Sequence, residues 1–137
     1  MRPLETLEQI REAVRPILEP TGVAFAVLFG SAAAGRAGAA SDLDIGVAGN
    51  GPGLPVCDAL DLAVTLERVL GREVDLVDLG SATPLLRREA ARGRRLYERI
   101  PGTFADFVAR AVLEFDDVRP HLLRGGRALL RAGRRAS

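Results

Sequence analysis

The stretch GSAAAGRAGAASDLDI occupies residues 30–45 and decides how the rest of the chain is interpreted. It follows a continuous apolar run, VAFAVLF at residues 23–29, whose length and β-forming side chains predict a buried strand. The segment DLDIGVA at residues 42–48 alternates acidic and apolar side chains and then becomes apolar, which predicts a second strand. A Gly–Ser pair and an acidic strand are therefore separated by ten residues of mostly small side chains.

Asp42 and Asp44 are two residues apart on the predicted second strand, so both carboxylates point to the same face. Two like charges this close are costly unless a positive charge lies between them, and a hard divalent cation such as Mg²⁺ suits them. A third acid, Asp75, lies in the predicted strand EVDLVDL at residues 73–79. If that strand neighbours the second, three carboxylates converge and suit two metal ions. Asp78 is the alternative third acid, but its spacing from Asp75 places it on the other face of a regular strand.

Gly30 and Ser31 lie where the first strand ends and a short helical turn is predicted to begin. Backbone N–H groups at such a position favour anions, and glycine permits phosphates to approach closely. The Ser31 hydroxyl is a suitable donor to a phosphate oxygen. The sequence therefore predicts a phosphate-binding loop beside a metal-binding pair of acids.

Composition narrows the possible classes of protein. The 137 residues, 47% of them hydrophobic, predict one globular domain over residues 1–137. One Cys and one His exclude a disulfide scaffold and a Cys/His zinc site within the chain, and the absence of Lys excludes a Walker A loop. We expect a cytoplasmic protein without a membrane span, and the net charge of +1 makes nucleic acid an improbable direct substrate.

The remaining elements are predicted from periodicity and capping signals. Helices are expected over residues 4–18, with Pro16 kinking or shortening the last turn, and over 55–70, with Leu60, Val64 and Leu66 towards the core. Thr83 is expected to cap a helix over 84–91, which precedes a short strand at 94–97. Two further helical stretches are predicted at about 103–116 and 120–132. The fold class is α/β: a small mixed sheet with the acids on one face, helices on the other, and a helical C-terminal segment.

The motif Gly30-Ser31, ten residues, Asp42-Leu43-Asp44, with Asp75 in a later strand, resembles the signature of the DNA polymerase β superfamily of nucleotidyltransferases. The resemblance covers residues 21–97 and is strongest to the minimal nucleotidyltransferases of prokaryotes, in particular the antitoxins paired with HEPN toxins. It implies a polymerase β-like fold and the transfer of AMP from ATP to a hydroxyl group.

The resemblance also implies roles for individual residues. Nucleotide binding would fall to the loop and the acid pair: Gly30, Ser31, Arg36, Asp42 and Asp44. Many relatives carry a polar or basic residue directly before the second loop glycine, where this chain has Ala34; Arg36 is expected to substitute. Two Mg²⁺ ions would be held by Asp42, Asp44 and Asp75, with Asp75 also helping to deprotonate the acceptor.

The implied partner is a HEPN toxin, silenced by AMP on a tyrosine, and a homo- or hetero-oligomer is possible. Only about forty residues follow the core, which leaves little room for a substrate-binding domain and suits an acceptor that brings its own surface. The Arg-rich segment 119–137, with six Arg and no acid, is a candidate docking segment or simply a solvated tail. Two alternatives stay open: an antitoxin that neutralises only by binding, and a nucleotidyltransferase acting on a small molecule such as an aminoglycoside.

Overall fold

A computed structural model of the chain describes residues 6–30, 42–49 and 56–122. Within these ranges the first half contains helix α1 (Leu7–Leu18), a 3₁₀ turn (Glu19–Thr21), strands β1 (Phe25–Phe29) and β2 (Leu43–Ala48), and helix α2 (Val56–Leu70). The second half contains strand β3 (Val74–Asp78), helix α3 (Pro84–Ala91), strand β4 (Arg94–Glu98) and helix α4 (Thr103–Leu122).

The four strands form one mixed sheet in the order β3-β2-β1-β4. Strand β1 runs antiparallel to both of its neighbours, β2 and β4, whereas β2 and β3 are parallel. A parallel pair needs a crossover connection, and α2 supplies it between β2 and β3. The mixed sheet flanked by helices agrees with the fold class expected from the sequence.

Helices cover both faces of the sheet, and this corrects the expectation that they lie only opposite the acids. One apolar cluster joins α1 and α2 to one face, and a second joins α3 and α4 to the other. Asp44 pairs in register with Phe29, which belongs to the second cluster, so the acids share their face with α3 and α4. The cause is the central strand β1, whose five residues are all buried and need apolar cover on both sides.

Helix α1 begins at Leu7 because Thr6 caps it. The Thr6 hydroxyl accepts from the Gln9 N–H at 3.1 Å, and the Gln9 side chain accepts from the Thr6 N–H at 3.1 Å. This reciprocal capping box sets the start three residues later than the periodicity suggested. Pro16 does not end the helix early, since it continues to Leu18 as predicted.

Helix α2 turns a different side towards the core than expected. Leu66 is buried as predicted, but Leu60 and Val64 are both 62% exposed. The buried positions are Leu62, Leu66 and Leu70, which recur every four residues. Leu60 precedes Leu62 by two residues, a rotation of about 200° around a helix of 3.6 residues per turn, and therefore lies on the opposite side.

Helix α4 is continuous from Thr103 to Leu122, which corrects the prediction of two helices separated near residue 117. Pro120, at the expected beginning of the second stretch, lies inside this helix. The first turns of α4 are held by aromatic packing: the Phe25 ring lies 5.3 Å from that of Phe104 and 5.1 Å from that of Phe107. The rest of the predicted 120–132 stretch, from residue 123, lies outside the described residues.

The other predicted elements are confirmed. Helix α3 spans Pro84–Ala91, and the Thr83 hydroxyl caps it by accepting from the Leu86 N–H at 3.2 Å. Strand β4 covers the predicted 94–97 and one further residue. None of the helices in the described parts of the chain is long and apolar enough to cross a membrane.

Candidate active site

Asp44 and Asp75 are partners in the register of the parallel strands β2 and β3. Residues paired in this way lie about 4.8 Å apart across a sheet and direct their side chains to the same face. Both side chains are half-buried. The Leu43 N–H donates to the Glu73 carbonyl at 2.9 Å, which fixes the start of the pairing one step before the two acids. The two carboxylates are therefore neighbours on the sheet, as the sequence predicted.

Gly30 lies directly against Asp44. Strand β1 ends with Phe29 opposite Asp44, and Gly30 follows with a φ of +75°, in the left-handed region that glycine tolerates best. A Cβ atom at Gly30 would overlap the Oδ2 atom of Asp44 and lie 3.2 Å from its Cγ. The backbone of the predicted phosphate loop and a predicted metal-binding acid are thus adjacent, and only glycine fits between them.

Asp42 immediately precedes β2 and is exposed. In residues 6–30, 42–49 and 56–122, no three His, Cys, Asp or Glu side chains are grouped closely enough to hold a metal ion. A metal site formed by Asp42, Asp44 and Asp75 together therefore stays a prediction from the sequence.

The acid pair nevertheless fits Mg²⁺. This ion prefers oxygen ligands and commonly takes only one or two carboxylates, with water and substrate phosphate oxygens completing its shell. Two adjacent carboxylates also repel each other unless a positive charge compensates them. Gly30, the described end of the predicted phosphate loop, lies directly beside this pair, so the three residues together suit a metal–nucleotide complex.

Two predicted nucleotide-binding residues, Ser31 and Arg36, lie outside the described residues. Their roles stay predictions based on the sequence. The described part of the loop ends at Gly30, which lies against Asp44.

Asp78, the alternative third acid, occupies a different place. It pairs with Val47 at the other end of β3 and faces the side opposite to Asp75. Its Oδ1 accepts from the Gly80 N–H at 3.0 Å, and its carbonyl accepts from the Ser81 N–H at 3.2 Å. Asp78 therefore stabilises the turn after β3, and Asp75 is the acid beside Asp44.

Two glycines on the sheet were assigned no role by the sequence analysis. A Cβ at Gly46 would lie 3.0 Å from both Leu79 methyl carbons, and one at Gly93 would overlap the Leu28 carbonyl oxygen. Gly46 therefore leaves room for the side chain of Leu79, which follows β3, and Gly93 lets the chain enter β4 close beside β1. A glycine inside a strand pattern is the signal that could have indicated such close approach.

The family model described as polymerase beta, nucleotidyltransferase matches residues 12–101. The chain is also 40% identical over 81 residues to the "Putative protein adenylyltransferase MJ0435" of Methanocaldococcus jannaschii. That alignment covers 59% of this chain and 86% of the relative. The region matched by the family model includes every strand of the described chain and the acid pair.

Solved structures of toxin–antitoxin complexes share the fold. A chain from a toxin–antitoxin complex with AMP-PNP superimposes with a TM-score of 0.71 at 24% identity, covering 87% of this chain and 94% of that one. A chain from the complex of a tri-AMPylated Shewanella oneidensis HEPN toxin with its MNT antitoxin gives 0.71 at 21% identity, covering 87% and 94%. With the family match spanning all four strands, the acid pair and Gly30, this chain belongs to the polymerase beta nucleotidyltransferase family.

Proposed function

We propose that this nucleotidyltransferase transfers AMP from ATP to a tyrosine hydroxyl of a partner HEPN toxin and so acts as the antitoxin of a toxin–antitoxin pair in the cytoplasm. The observation that carries the proposal is the pairing of Asp44 with Asp75 against the backbone of Gly30. The 40% identical relative, itself described as a protein adenylyltransferase, supports protein as the acceptor. The shared fold with antitoxins in complexes with HEPN toxins supports that class of partner.

The reaction is a substitution at the α-phosphorus of ATP. The acceptor oxygen forms a bond to this phosphorus, the bond from phosphorus to the oxygen bridging to the β-phosphate breaks, and pyrophosphate leaves. In the proposal, the hydroxyl proton passes to a carboxylate oxygen of Asp75, which lies farther from Gly30 than Asp44 does because it is one strand farther away. Positioning the two reactants in this way is itself a large part of catalysis.

The nucleotide is assigned to the Gly30 side of the acid pair. Gly30, Ser31 and Arg36 are proposed to bind the phosphate oxygens, as the sequence motif predicts. Asp42, Asp44 and Asp75 would hold two Mg²⁺ ions, which when bound neutralise charge on the phosphates. The order from Gly30 through Asp44 to Asp75 then runs from nucleotide to acceptor.

The decisive experiment is intact mass spectrometry of a HEPN toxin, sought among the products of the flanking genes, after incubation with the protein, ATP and Mg²⁺. We expect AMP-sized additions with the wild type and none with Asp44→Asn. Asp78→Asn is the matched control, since it changes an acid of the same sheet on the opposite face and retains an oxygen acceptor for the Gly80 N–H.

The other possible results of this experiment would each favour a different function. A complex without additions would overturn catalysis and favour neutralisation by binding alone. If neither AMP additions nor a complex are observed, the partner assignment is overturned. Adenylation of an aminoglycoside panel without any toxin would then identify a small-molecule enzyme.

A further inference from the structure

Strand β3, which carries Asp75, is an edge strand of the sheet. Backbone groups of successive residues in a strand point alternately to its two sides. The Glu73 carbonyl is directed towards β2, where it accepts from the Leu43 N–H, so the N–H of Val74 is directed to the open side. The sheet itself therefore offers no acceptor for the N–H of Val74, the residue directly before Asp75.

Glu67 provides that hydrogen bond from helix α2. Its Oε1 accepts from the Val74 N–H at 3.2 Å, while its carbonyl accepts from the Gly71 N–H at 2.9 Å. Gly71 has a φ of +70° and reverses the chain between the helix and the strand. One residue of the last helical turn thus holds both the end of α2 and the beginning of β3.

We infer that Glu67 is a positioning residue: its carboxylate holds Val74, and thereby Asp75, in register against Asp44. The start of β3 is secured on one side by the bond from Leu43 to Glu73 and on the other by Glu67. Val74 is only 8% exposed and its bond to Glu67 is partly buried, so loss of the acceptor leaves a partly buried N–H group without its bond. The strand end relaxes to satisfy that group, and Asp75 moves with it.

The consequence for catalysis rests on the proposed function. Removal of a residue that holds a metal-binding or catalytic side chain in position commonly lowers activity by about 10- to 100-fold. We expect Glu67→Ala to lower kcat by about tenfold or more on this basis, with the KM for ATP changed less than about twofold. The KM is spared because the nucleotide is assigned to the Gly30 side of the site, away from the edge of β3.

The experiment compares Glu67→Ala with Glu67→Gln and with Asp61→Ala, an exposed acid on the same helix. Glutamine retains the oxygen acceptor and lacks only the charge, so Glu67→Gln should keep the wild-type kcat. Amide hydrogen exchange measured by NMR reports the bond directly: exchange at Val74 should accelerate in Glu67→Ala by about five- to tenfold, and remain unchanged at Val77. Asp61→Ala should match the wild type in both measurements.

Three outcomes would overturn the inference: wild-type kcat in Glu67→Ala, equal loss in Glu67→Gln and Glu67→Ala, or exchange that accelerates equally at Val74 and Val77. The last would mean general destabilisation instead of a local effect. If the wild type itself transfers no AMP, the proposed function fails, and the ¹³Cγ resonance of Asp75 decides the inference alone. A shift in Glu67→Ala but not in Glu67→Gln supports positioning, and an unshifted resonance in both refutes it.

Discussion

Gly30 lies against the carboxylate of Asp44, so that a Cβ atom added at Gly30 would overlap Oδ2. The two residues are fourteen positions apart in the chain, and the antiparallel pairing of β1 with β2 brings them together. The first residue of the loop that is expected to bind phosphate is thus packed directly against the acid that is expected to bind metal.

Gly30→Ala is expected to reduce AMP transfer by about tenfold or more, because displacing a reacting group by roughly 1 Å can be that costly. Gly22→Ala is the matched control. Gly22 also has a positive φ, of 77°, but a Cβ there would meet its nearest neighbour, Arg99 Nη1, at an ordinary 3.8 Å. Both variants carry a backbone strain of about 1–2 kcal/mol, and only the first displaces Asp44. Equal losses of kcat in the two would show that strain alone is responsible.

Asp75→Asn is expected to lower kcat by about a hundredfold or more, the range seen when a general base is removed. Asp78→Asn, on the opposite face of the same strand, is expected to retain nearly full activity. Initial rates of AMP transfer to the toxin measure both, with circular dichroism as a check on folding. If Asp78→Asn lost more AMP-transfer activity than Asp75→Asn, the catalytic acid of β3 would be Asp78 and not Asp75.

Mg²⁺ together with a non-hydrolysable ATP analogue is expected to raise Tm. Saturation at a hundred times Kd contributes about 2.7 kcal/mol, which corresponds to roughly 5–10 °C for a chain of this size. Removal of divalent ions with EDTA, or the substitution Asp44→Asn, should abolish most of this shift. Differential scanning fluorimetry makes the measurement without turnover, and an unchanged shift in EDTA would argue against a metal-bound nucleotide.

Leu66→Ala is expected to lower the free energy of unfolding by about 2–5 kcal/mol, because Leu66 is fully buried between α2 and the sheet. Val64→Ala, on the exposed side of the same helix, should change it by no more than about 0.5 kcal/mol. Urea denaturation followed by circular dichroism compares the two. Similar losses would mean that the exposed side of α2 is covered in solution, for example by a second chain.

Deletion of residues 119–137 is expected to weaken binding to the toxin, because this segment carries six Arg and no acidic residue. Titration calorimetry at two salt concentrations tests this, since binding through exposed charges weakens as salt increases. Thermal stabilisation by the ATP analogue serves as the control and should survive the deletion. An unchanged affinity for the toxin would identify the segment as a solvated tail.

Most elements could be predicted from local patterns. The continuous apolar run predicted β1, alternation predicted β2, and Thr83 before Pro84 predicted the start of α3. The side of α2 that faces the core could not be predicted as well, because Leu60 and Val64 are as apolar as the residues that are buried. The continuity of α4 was not predicted: the helix runs through residues 117–119, between the two predicted stretches, and contains Pro120.

The sequence by itself determined which residues are candidates for the site, since the spacing of Gly30, Asp42 and Asp44 is a covalent property of the chain. Only the tertiary structure decided how they meet. The register of β2 and β3 paired Asp44 with Asp75, excluded Asp78, and left Asp42 exposed before the strand. Glu67 reached Val74 in the same way, through the packing of α2 beside an edge strand. These relationships join residues through strand order and register, which depend on the packing of the whole sheet and not on any local pattern.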